Sequence, residues 1–433
     1  WRLRSSLRGA PAGVIGRLPR SLAQVVSTLS SDRELWVDEV RGTVLVSDWR
    51  AWARRQSAQS EQIVGRAVAL RAGSGPAGAA SILLLDGLCS RLLVCGPDVP
   101  AMDVEDLVAK SECDALIGVE DGDEFVGALK LDWTSRRSAP SVDACTVWLI
   151  PTSGTTSSPK LIPHTLETLA RSTRVSDPKA GCRWGILYGV SRFAGIQVLL
   201  QAVLGGGVLL FPADVRDLGR TIEFFVANRC DALSATPTMW RKILMIPCSG
   251  GLRLRHATLG GEIADQKILD GVAARFPNAR VRHVYASTEA GVGFSVRDGR
   301  AGFPAAWLQQ EGAVPQMRIA GGTLRLRIPG RLSHPFGVRD VVPVDEEGYI
   351  DTGDAVVIDG DRVRFLGRAS GVVNVGGNKV HPEEVEQVIL AFPGVLSALV
   401  RARPNPFTGF VVETEVVVDG ESVPQEFVPR LLE

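Results

Sequence analysis

The sequence predicts an α/β protein with a large N-terminal domain of mixed, mostly parallel sheets with packed helices, a β-rich subdomain and a small α+β C-terminal domain. Two observations carry this prediction. Short apolar runs alternate with longer amphipathic stretches over most of the chain, which is the pattern of βα units around a parallel sheet. After about residue 315, short β-rich segments separated by Gly and Asp follow, as hairpins require.

The first part of the chain predicts strands and helices in alternation. Apolar runs predict buried strands at "SILLLDGL" (81–88), "RLLVCG" (91–96), "DALIGVE" (114–120), "CTVWLIP" (145–151), "WGILYGV" (184–190), "GVLLFP" (207–212), "DALSATP" (231–237) and "HATLGG" (256–261). Apolar residues recur at helical spacing in "HTLETLARSTRV" (164–175), "RTIEFFVANRC" (220–230) and "IADQKILDGVAARFP" (263–277). These stretches predict helices that pack against the sheet.

The last part of the chain predicts hairpins and a small separate unit. Hairpins are expected in "GTLRLRIPG", "YIDTGDAVVIDGDRVRFLGR" and "VVNVGGNKV". The segment "HPEEVEQVILAF" predicts a helix, and the strands "LSALVRAR" and "GFVVETEVVVDG" follow it. We therefore expect an N-terminal domain over residues 1–368 and a mobile C-terminal domain over residues 369–433 that lacks its last part.

The charge balance and the apolar runs exclude two classes of partner. Lys and Arg number 48, as do Asp and Glu, so no excess of positive charge supports binding to nucleic acid or anionic lipid. The longest apolar run, "IQVLLQAVLGGGVLLF", contains two glutamines and three glycines and is shorter than the roughly 20 residues that span a bilayer. We expect no membrane span.

The cysteines and the composition of residues 1–31 bear on the cellular location of the protein. The seven cysteines are scattered and form no C-x-x-C pair, so neither a disulfide framework nor a zinc site is indicated, and a cytoplasmic location is expected. Residues 1–31 contain five arginines and no acidic residue, which is also the composition of a transit peptide. An arginine-rich helix is the favoured interpretation, because the whole chain has 41 Arg against 7 Lys.

A hydroxyl-rich loop follows the predicted strand "CTVWLIP". Its sequence, "TSGTTSSPK", can turn backbone N–H groups and hydroxyls inward to form a nest for a phosphate, with a lysine as a mobile charge; the alternative is a polar surface turn. The stretch does not match the P-loop pattern, because the chain contains no Gly-Lys dipeptide. The candidate phosphate-binding residues are Thr152, Ser153, Gly154, Thr155, Thr156 and Lys160.

Further motifs follow this loop in order: "LIPHT", "GGE", "VYASTEAG", "YIDTGD" and "FLGRASGVVNVGGNKVHPEEVE". Together with the loop, this ordered set resembles the signature motifs of the AMP-forming acyl-adenylating enzymes, the superfamily of acyl-CoA synthetases, peptide-synthetase adenylation domains and luciferases. The resemblance covers essentially the whole chain. The matching residues are His164, Gly260, Gly261, Glu262, Tyr285, Thr288, Glu289, Asp354, Arg368, Gly376, Gly377 and Lys379.

The resemblance implies that the protein uses ATP to convert a carboxylic acid to an acyl-adenylate, releases pyrophosphate, and then forms a thioester with CoA. The loop and Lys160 would hold the β- and γ-phosphates, and Thr288 would hydrogen-bond the α-phosphate. Glu289 fits a Mg²⁺ ligand, because this ion prefers one or two carboxylates together with phosphate oxygens and water. Lys160, His164, Thr288 and Glu289 are the implied catalytic residues. If the other motifs were absent, the pair Thr288-Glu289 alone would be interpreted as a helix cap.

The nucleoside would be held by residues of the later motifs. Gly261 and Glu262 would lie beside the adenine, and Tyr285 offers a flat face on which the base could stack. The Asp354 carboxylate could accept both ribose hydroxyls, and Arg368 would donate to the same sugar. The structural alternatives are a buried tyrosine, a turn aspartate and a surface arginine.

The acid pocket should lie, by resemblance, between "YGVSRFAG" and "SATPTMW". Its predicted residues are Arg192, Phe193, Met239, Gly260 and Ala286. Amino-acid-activating relatives usually place an aspartate near the first segment, and this chain has none there, so an amino-acid substrate is disfavoured. Arg192 could pair with a second carboxylate or polar group of the substrate, or it could face solvent.

The sequence departs from the family's pattern at three points. Ser157 replaces a glycine of the loop, Ser370 stands at the hinge position, and no lysine follows Lys379, although relatives carry a catalytic lysine near the C-terminus. Either the chain has been cut or it is natively short. Gly376, Gly377 and Lys379 would lie on the thiol side. The alternatives to CoA thioester formation are therefore loading of an acyl carrier protein and a catalytically silent nucleotide-binding homologue.

Overall fold

A computed structural model describes these parts of the chain: residues 21–73, 75–118, 129–134, 145–151, 161–173, 181–287, 291–310, 315–328, 344–375, 378–405 and 409–418. Within them the chain forms four sheets with packed helices. The predicted α/β fold class is confirmed. Of the predicted site residues, the loop 152–160, Thr288, Glu289, Gly376 and Gly377 lie outside the described residues.

The largest sheet has eight strands in the order β14-β13-β12-β11-β9-β10-β1-β2. The central strands are parallel, and β2 and β14 pair antiparallel at the two edges. Its strands are β1 (Glu34–Asp38), β2 (Gly42–Leu45), β9 (Arg183–Gly185), β10 (Val208–Phe211), β11 (Ala232–Ala235), β12 (His256–Gly260), β13 (Arg280–Ser287) and β14 (Gly291–Val296).

A second sheet has six strands in the order β6-β5-β3-β4-β7-β8. It is parallel at its centre, and its edge strands β6 and β8 pair antiparallel. Its strands are β3 (Ala67–Arg71), β4 (Arg91–Cys95), β5 (Ala115–Gly118), β6 (Lys130–Trp133), β7 (Val147–Pro151) and β8 (Leu161–His164).

Helices cover both sheets and join them in one core. The largest core cluster contains Trp36 from the first sheet, Trp148 from the second and Leu199 from α7, all of them buried. A second cluster packs α8, α9 and α10 on the other face of the eight-stranded sheet. The helices of this part are α1 (Leu22–Thr28), α2 (Val46–Arg55), α3 (Ser57–Ile63), α4 (Pro76–Leu85), α5 (Ala101–Lys110), α6 (Leu166–Ala170), α7 (Phe193–Leu204), α8 (Leu218–Ala227), α9 (Pro237–Met245) and α10 (Gln266–Arg275).

The segment "SILLLDGL" was predicted as a strand, and this prediction is wrong. Residues 81–85 form the second half of α4, which begins at Pro76, and residues 86–88 form a turn after it. Every residue of α4 is buried, so the helix carries no polar face and its sequence has no helical periodicity. A short apolar run of this kind does not distinguish a buried strand from a buried helix.

The β-rich part of the chain forms two smaller sheets, as predicted. One has the order β15-β19-β18-β17-β16, and the other has the order β21-β20-β23-β22 and packs with helix α11 (Pro382–Leu390). The strands are β15 (Phe303–Pro304), β16 (Gln316–Ala320), β17 (Thr323–Arg327), β18 (Ile350–Asp359), β19 (Arg362–Arg368), β20 (Val373–Val375), β21 (Asn378–Val380), β22 (Val395–Asn405) and β23 (Gly409–Val418).

One lysine connects α10 to the end of α11. The Nζ of Lys267 donates hydrogen bonds to the carbonyl oxygens of Leu390 (2.9 Å), Phe392 (3.1 Å) and Val395 (2.7 Å). An ammonium has three donors, and carbonyls at a helix C-terminus lack partners within the helix, so the two groups satisfy each other. This contact attaches the small C-terminal sheet and its helix to the larger part. The domain boundary at residue 368 stays a prediction.

Candidate active site

The candidate active site lies at one edge of the eight-stranded sheet. Strands β9, β11, β12 and β13 are parallel, so their carboxyl ends meet at this edge. Ligands of open α/β sheets bind outside the carboxyl ends of the strands. Gly260 is the last residue of β12, and Tyr285 and Ala286 lie near the end of β13, so three of the predicted site residues are brought together there.

Asp354 is the centre of a polar cluster in the five-stranded sheet. Strands β18 and β19 pair antiparallel, and their register places Asp354 opposite Arg368. Arg368 Nε lies 3.0 Å from one carboxylate oxygen of Asp354, and Tyr285 donates its phenol hydrogen to the other. Arg368 also donates from Nη1 to the Thr352 carbonyl at 2.7 Å. The structure therefore brings together three predicted nucleotide-binding residues from two parts of the chain, strand β13 and the hairpin of β18 and β19.

The ring of Tyr285 is covered on both faces. Phe294 of β14 stacks on it at a centroid distance of 5.1 Å and an interplanar angle of 13°, and Phe365 of β19 does so at 5.2 Å and 5°. Burial and the negative charge of Asp354 raise the pKa of Tyr285, so its hydroxyl is protonated and acts as a donor at neutral pH. Phe294 and Phe365 thus cover the two faces of the ring in this arrangement, and the stacking of adenine on Tyr285 stays a prediction.

The predicted adenine-side segment forms a turn against the start of α9. Gly261 has φ +84°, a conformation that favours glycine. The Glu262 carboxylate accepts a hydrogen bond from the Thr238 backbone N–H at 2.9 Å, and Thr236 caps the same helix end by accepting from the Met239 N–H. The polar groups of this turn are thus held by the first turn of α9.

Tyr188 was not among the predicted site residues. It lies in the segment "YGVSRFAG" that follows β9. Burial raises the pKa of its phenol, and the negative charge of the nearby Glu262 carboxylate raises this pKa further. Tyr188 lies within the predicted strand "WGILYGV" and begins the segment "YGVSRFAG" beside which the acid pocket was predicted, and this position was the available signal. Its position adds Tyr188 to the residues at this edge of the sheet.

Arg192 has a protein partner. It is the N-cap residue of α7, and its guanidinium forms an ion pair with Asp98, which lies in the loop after β4. About half of each side chain is exposed, 47% for Arg192 and 50% for Asp98. The partners expected for Arg192 were a polar group of the substrate or solvent. Asp98 was not predicted, because nothing in the local sequence links the two segments.

Phe193, a predicted acid-pocket residue at the start of α7, lies beside His164, a predicted catalytic residue. His164, at the end of β8, is 5% exposed, and its ring lies 5.9 Å from the Phe193 ring. An added Cβ at Gly291 would lie 3.8 Å from His164 Cε1, so β14 borders the histidine as well. Met239 is partly buried and packs against the second core cluster, that of α8, α9 and α10. Ala286 pairs with Val292 at a bulge between β13 and β14. These contacts place His164 and Phe193 side by side.

Of the predicted thiol-side residues, Lys379 is described. It lies in β21, pairs with Asn374 of β20 and has an exposed side chain. Ser370 is part of a short 3-10 turn, Ala369–Gly371, that leads from β19 into the small sheet. Among the residues that the structure describes, no group of three or more His, Cys, Asp or Glu side chains could hold a metal ion, and no helix is long and apolar enough to span a membrane.

The comparison with family models identifies the class of protein that this fold and site define. Residues 76–316 match the model of the AMP-binding enzymes, and the chain belongs to this family. The matched range contains the phosphate loop, Gly260 to Glu262 and Tyr285, whereas Asp354 and Arg368 lie beyond it. The resemblance stated from the motifs is therefore confirmed.

Individual relatives are similar at low identity. The chain is 28% identical to surfactin synthase subunit 1 of Bacillus subtilis over 356 residues, which is 72% of this chain and 10% of that protein. It is 25% identical to 2-succinylbenzoate–CoA ligase of Enterococcus faecalis over 288 residues, 62% of this chain and 59% of the ligase. The chain thus spans less than two thirds of these relatives.

A solved structure shows the same fold. The anthranilate CoA ligase AuaEII, in complex with anthranoyl-AMP, superposes with a TM-score of 0.73. The superposition covers 96% of this chain and 90% of that chain at 16% sequence identity. The likeness therefore extends over nearly all of the chain, including the five-stranded sheet that carries Asp354 and Arg368.

Proposed function

We propose that this protein converts a carboxylic acid to an acyl-adenylate with ATP, releases pyrophosphate, and transfers the acyl group to the thiol of CoA. Membership of the AMP-binding enzyme family supports the first step. The similarity to 2-succinylbenzoate–CoA ligase supports the choice of acceptor. The observation that carries the proposal is the convergence of Tyr285, Asp354 and Arg368 at the carboxyl end of the parallel strands.

The polar cluster is suited to hold the sugar of the nucleotide. An ionised carboxylate accepts hydrogen bonds only and has about four lone-pair positions, so Asp354 can accept from protein donors and from ribose hydroxyls together. Hydrogen bonds to a charged acceptor are about twice as strong as neutral ones. We propose that Asp354 accepts the ribose hydroxyls, with Arg368 as a second donor beside the sugar.

The first chemical step places negative charge on both sides of the α-phosphorus. A carboxylate oxygen of the acid attacks this phosphorus, the bond to the bridging oxygen breaks, and pyrophosphate leaves with the bond's electron pair. Cationic and hydrogen-bonding groups that are fixed in advance stabilise such a transition state. We propose this role for Lys160, the hydroxyls of residues 152–156 and Thr288, with His164 on the side of the acid.

Mg²⁺ is proposed to assist at the phosphates. This ion takes one or two carboxylates plus phosphate oxygens and water, so it does not need a cluster of three protein ligands, and Glu289 fits as its ligand. When bound, it would neutralise phosphate charge. The residues of this chain would position the nucleotide around it.

The acid is proposed to be an acyl or aryl acid with an apolar body. Phe193 and the buried His164 lie side by side at the start of α7, and Met239 is partly buried. Arg192 already pairs with Asp98, which disfavours a substrate whose second carboxylate needs this cation. We propose Gly260 and Ala286 as further pocket residues.

In the second step the CoA thiolate attacks the acyl carbonyl, and AMP leaves. Gly376 and Gly377 would let the pantetheine arm pass close to the backbone, and the exposed Lys379 would lie on the same side. An acyl carrier protein presents the same thiol arm, so the two acceptors are compared directly in the assay. A cytoplasmic location is also proposed, which the free thiols of the seven cysteines support.

The test is acid-dependent exchange of labelled pyrophosphate into ATP. We expect exchange with at least one acid from a panel of aryl and short acyl acids, and thioester formation when CoA is added. ATP binding without exchange for any acid would contradict the proposal and favour a silent nucleotide-binding protein. Thioester formation with a phosphopantetheinylated carrier protein but not with CoA would contradict only the choice of acceptor.

A further inference from the structure

We propose that Lys267 is a positioning residue that holds the C-terminal unit in place for the transfer of the acyl group to the thiol. The C-terminal unit comprises helix α11 and the sheet of strands β20 to β23. This inference rests on the proposed function, because it gives the thiol side to this unit. The observation that carries it is the set of three hydrogen bonds from the Lys267 ammonium to carbonyl oxygens at the end of α11.

The three acceptors of Lys267 belong to one turn. Its ammonium donates to the carbonyl oxygen of Leu390, the last residue of α11. It also donates to the carbonyl oxygens of Phe392, in the turn that follows, and Val395, the first residue of β22. The last carbonyls of a helix have no partner within it and carry the negative end of its dipole, so a cation is favourable there. One side chain thus connects the helix end, the turn and the next strand to α10.

The other end of α11 is attached at a different place. Glu383, in the first turn of α11, lies so close to Gly367 of β19 that an added Cβ at Gly367 would collide with its carboxylate. Strand β19 leads through the turn Ala369–Gly371 into the C-terminal unit, so this contact is near the unit's own connection. Helix α11 has nine residues and is therefore roughly 13 Å long. Lys267 fixes the end of α11 that is distant from the connection.

The Lys267 contact lies next to the candidate active site. Lys267 is the second residue of α10, which follows the turn that carries Glu262. Burial is the main reason that the pKa of Glu386 in α11 is raised, and the charges of Arg241 and Glu262 also act on this carboxylate. Helix α11 therefore faces the same edge of the eight-stranded sheet as the predicted adenine-side turn.

The position of the C-terminal unit matters for the second chemical step. The unit carries Lys379 in β21, a predicted thiol-side residue, whereas Tyr285, Asp354 and Arg368 of the proposed nucleotide site precede it in the chain. A thiol that is misplaced by about 1 Å reacts about 100-fold more slowly, because the reacting atoms must be aligned. We therefore expect the contact of Lys267 to affect transfer to the thiol and to leave formation of the acyl-adenylate unchanged.

The experiment uses Lys267→Met in the full chain, because methionine keeps an apolar stem and removes the ammonium. Acid-dependent exchange of pyrophosphate into ATP measures the first step, and we expect it to stay within about twofold of wild type, as for a surface substitution. The kcat of thioester formation should fall about tenfold, as for the loss of one hydrogen bond to a charged group. The thiol is the one that the wild-type protein uses, CoA or a phosphopantetheinylated carrier.

Hydrogen–deuterium exchange of the backbone amides tests the contact itself. Lys267→Met should speed up exchange in residues 387–395, at the end of α11. Lys267→Arg keeps a cation with several N–H donors and should restore both the slow amide exchange and the rate of thioester formation. The matched control is Lys242→Met, which removes an exposed lysine from the neighbouring helix α9 and should behave as wild type in every assay.

Three results separate this inference from the proposed function. Wild-type rates of thioester formation in Lys267→Met would overturn the inference and leave the proposed function standing. An equal loss in pyrophosphate exchange and in thioester formation would also overturn it, because Lys267 would then act before the transfer step. If the wild-type protein exchanges no pyrophosphate with any acid, the proposed function fails and the transfer role fails with it. Amide exchange then still decides whether Lys267 holds α11, and unchanged protection in Lys267→Met would exclude this.

Discussion

The cluster of Asp354, Tyr285 and Arg368 is held by strands and stacked rings, whereas Arg192 and Asp98 meet from a helix end and a loop. On the proposed ribose side, Tyr285 lies between two phenylalanines, and Arg368 donates a hydrogen bond to the backbone carbonyl of Thr352. On the acid side, half of each ion-pair partner is exposed. The two sides of one candidate site therefore differ in how firmly their polar groups are fixed.

This difference matches what each side is proposed to bind. Every turnover uses the same ribose, that of ATP, so a carboxylate that packing orients in advance is an advantage. The acid is the part that varies between related enzymes, and exposed ion pairs of this kind contribute little to stability. We infer that substitutions on the acid side are tolerated more easily than those in the aromatic stack.

The largest difference is expected between two phenylalanines. Phe294→Ala removes a buried ring from the stack and should lower the free energy of unfolding by about 3–5 kcal/mol. Phe193→Ala removes a partly exposed ring beside His164 and should cost about 1 kcal/mol. Urea denaturation of both variants measures the two values. Equal losses would contradict the contrast between the two sides.

The smallest effect is expected at the Arg192–Asp98 pair. A double-mutant cycle with Arg192→Ala and Asp98→Ala should give a coupling energy of about 0.2–1 kcal/mol, as for other exposed pairs. The KM for the best acid in the exchange assay should change less than about threefold in Arg192→Ala, because a surface pair of this strength contributes little. A rise of tenfold or more, absent in Asp98→Ala, would show that Arg192 binds the substrate.

The sequence predicted the ribose-side residues because they lie in short local motifs. Asp354 and Arg368 come from one hairpin, whose register follows from the pairing of β18 and β19. The position of Tyr285 in its motif was equally visible, but its two stacking partners were not. Phe294 belongs to no motif, and Phe365 begins the motif "FLGRASGVVNVGGNKVHPEEVE" without a predicted role. Their contact with Tyr285 depends on how two sheets pack together.

Other features could not be predicted for the same reason. Asp98 meets Arg192 through the packing of the six-stranded sheet beside α7, and the local sequence contains no sign of it. The helix α4 was predicted as a strand because a helix buried on every side has no amphipathic pattern. The phosphate-loop residues, Thr288 and Glu289 lie outside the described residues and stay predictions.

The most direct test of the ribose role uses Asp354→Ala with ATP and 2′,3′-dideoxyATP in titration calorimetry. The wild-type protein should bind ATP about 10- to 100-fold more tightly than dideoxyATP, because hydrogen bonds to a charged acceptor contribute about 1.5–3 kcal/mol. Asp354→Ala should bind the two nucleotides with equal affinity. An Asp354→Ala protein that keeps the full preference for ATP would contradict the central claim that this carboxylate holds the sugar.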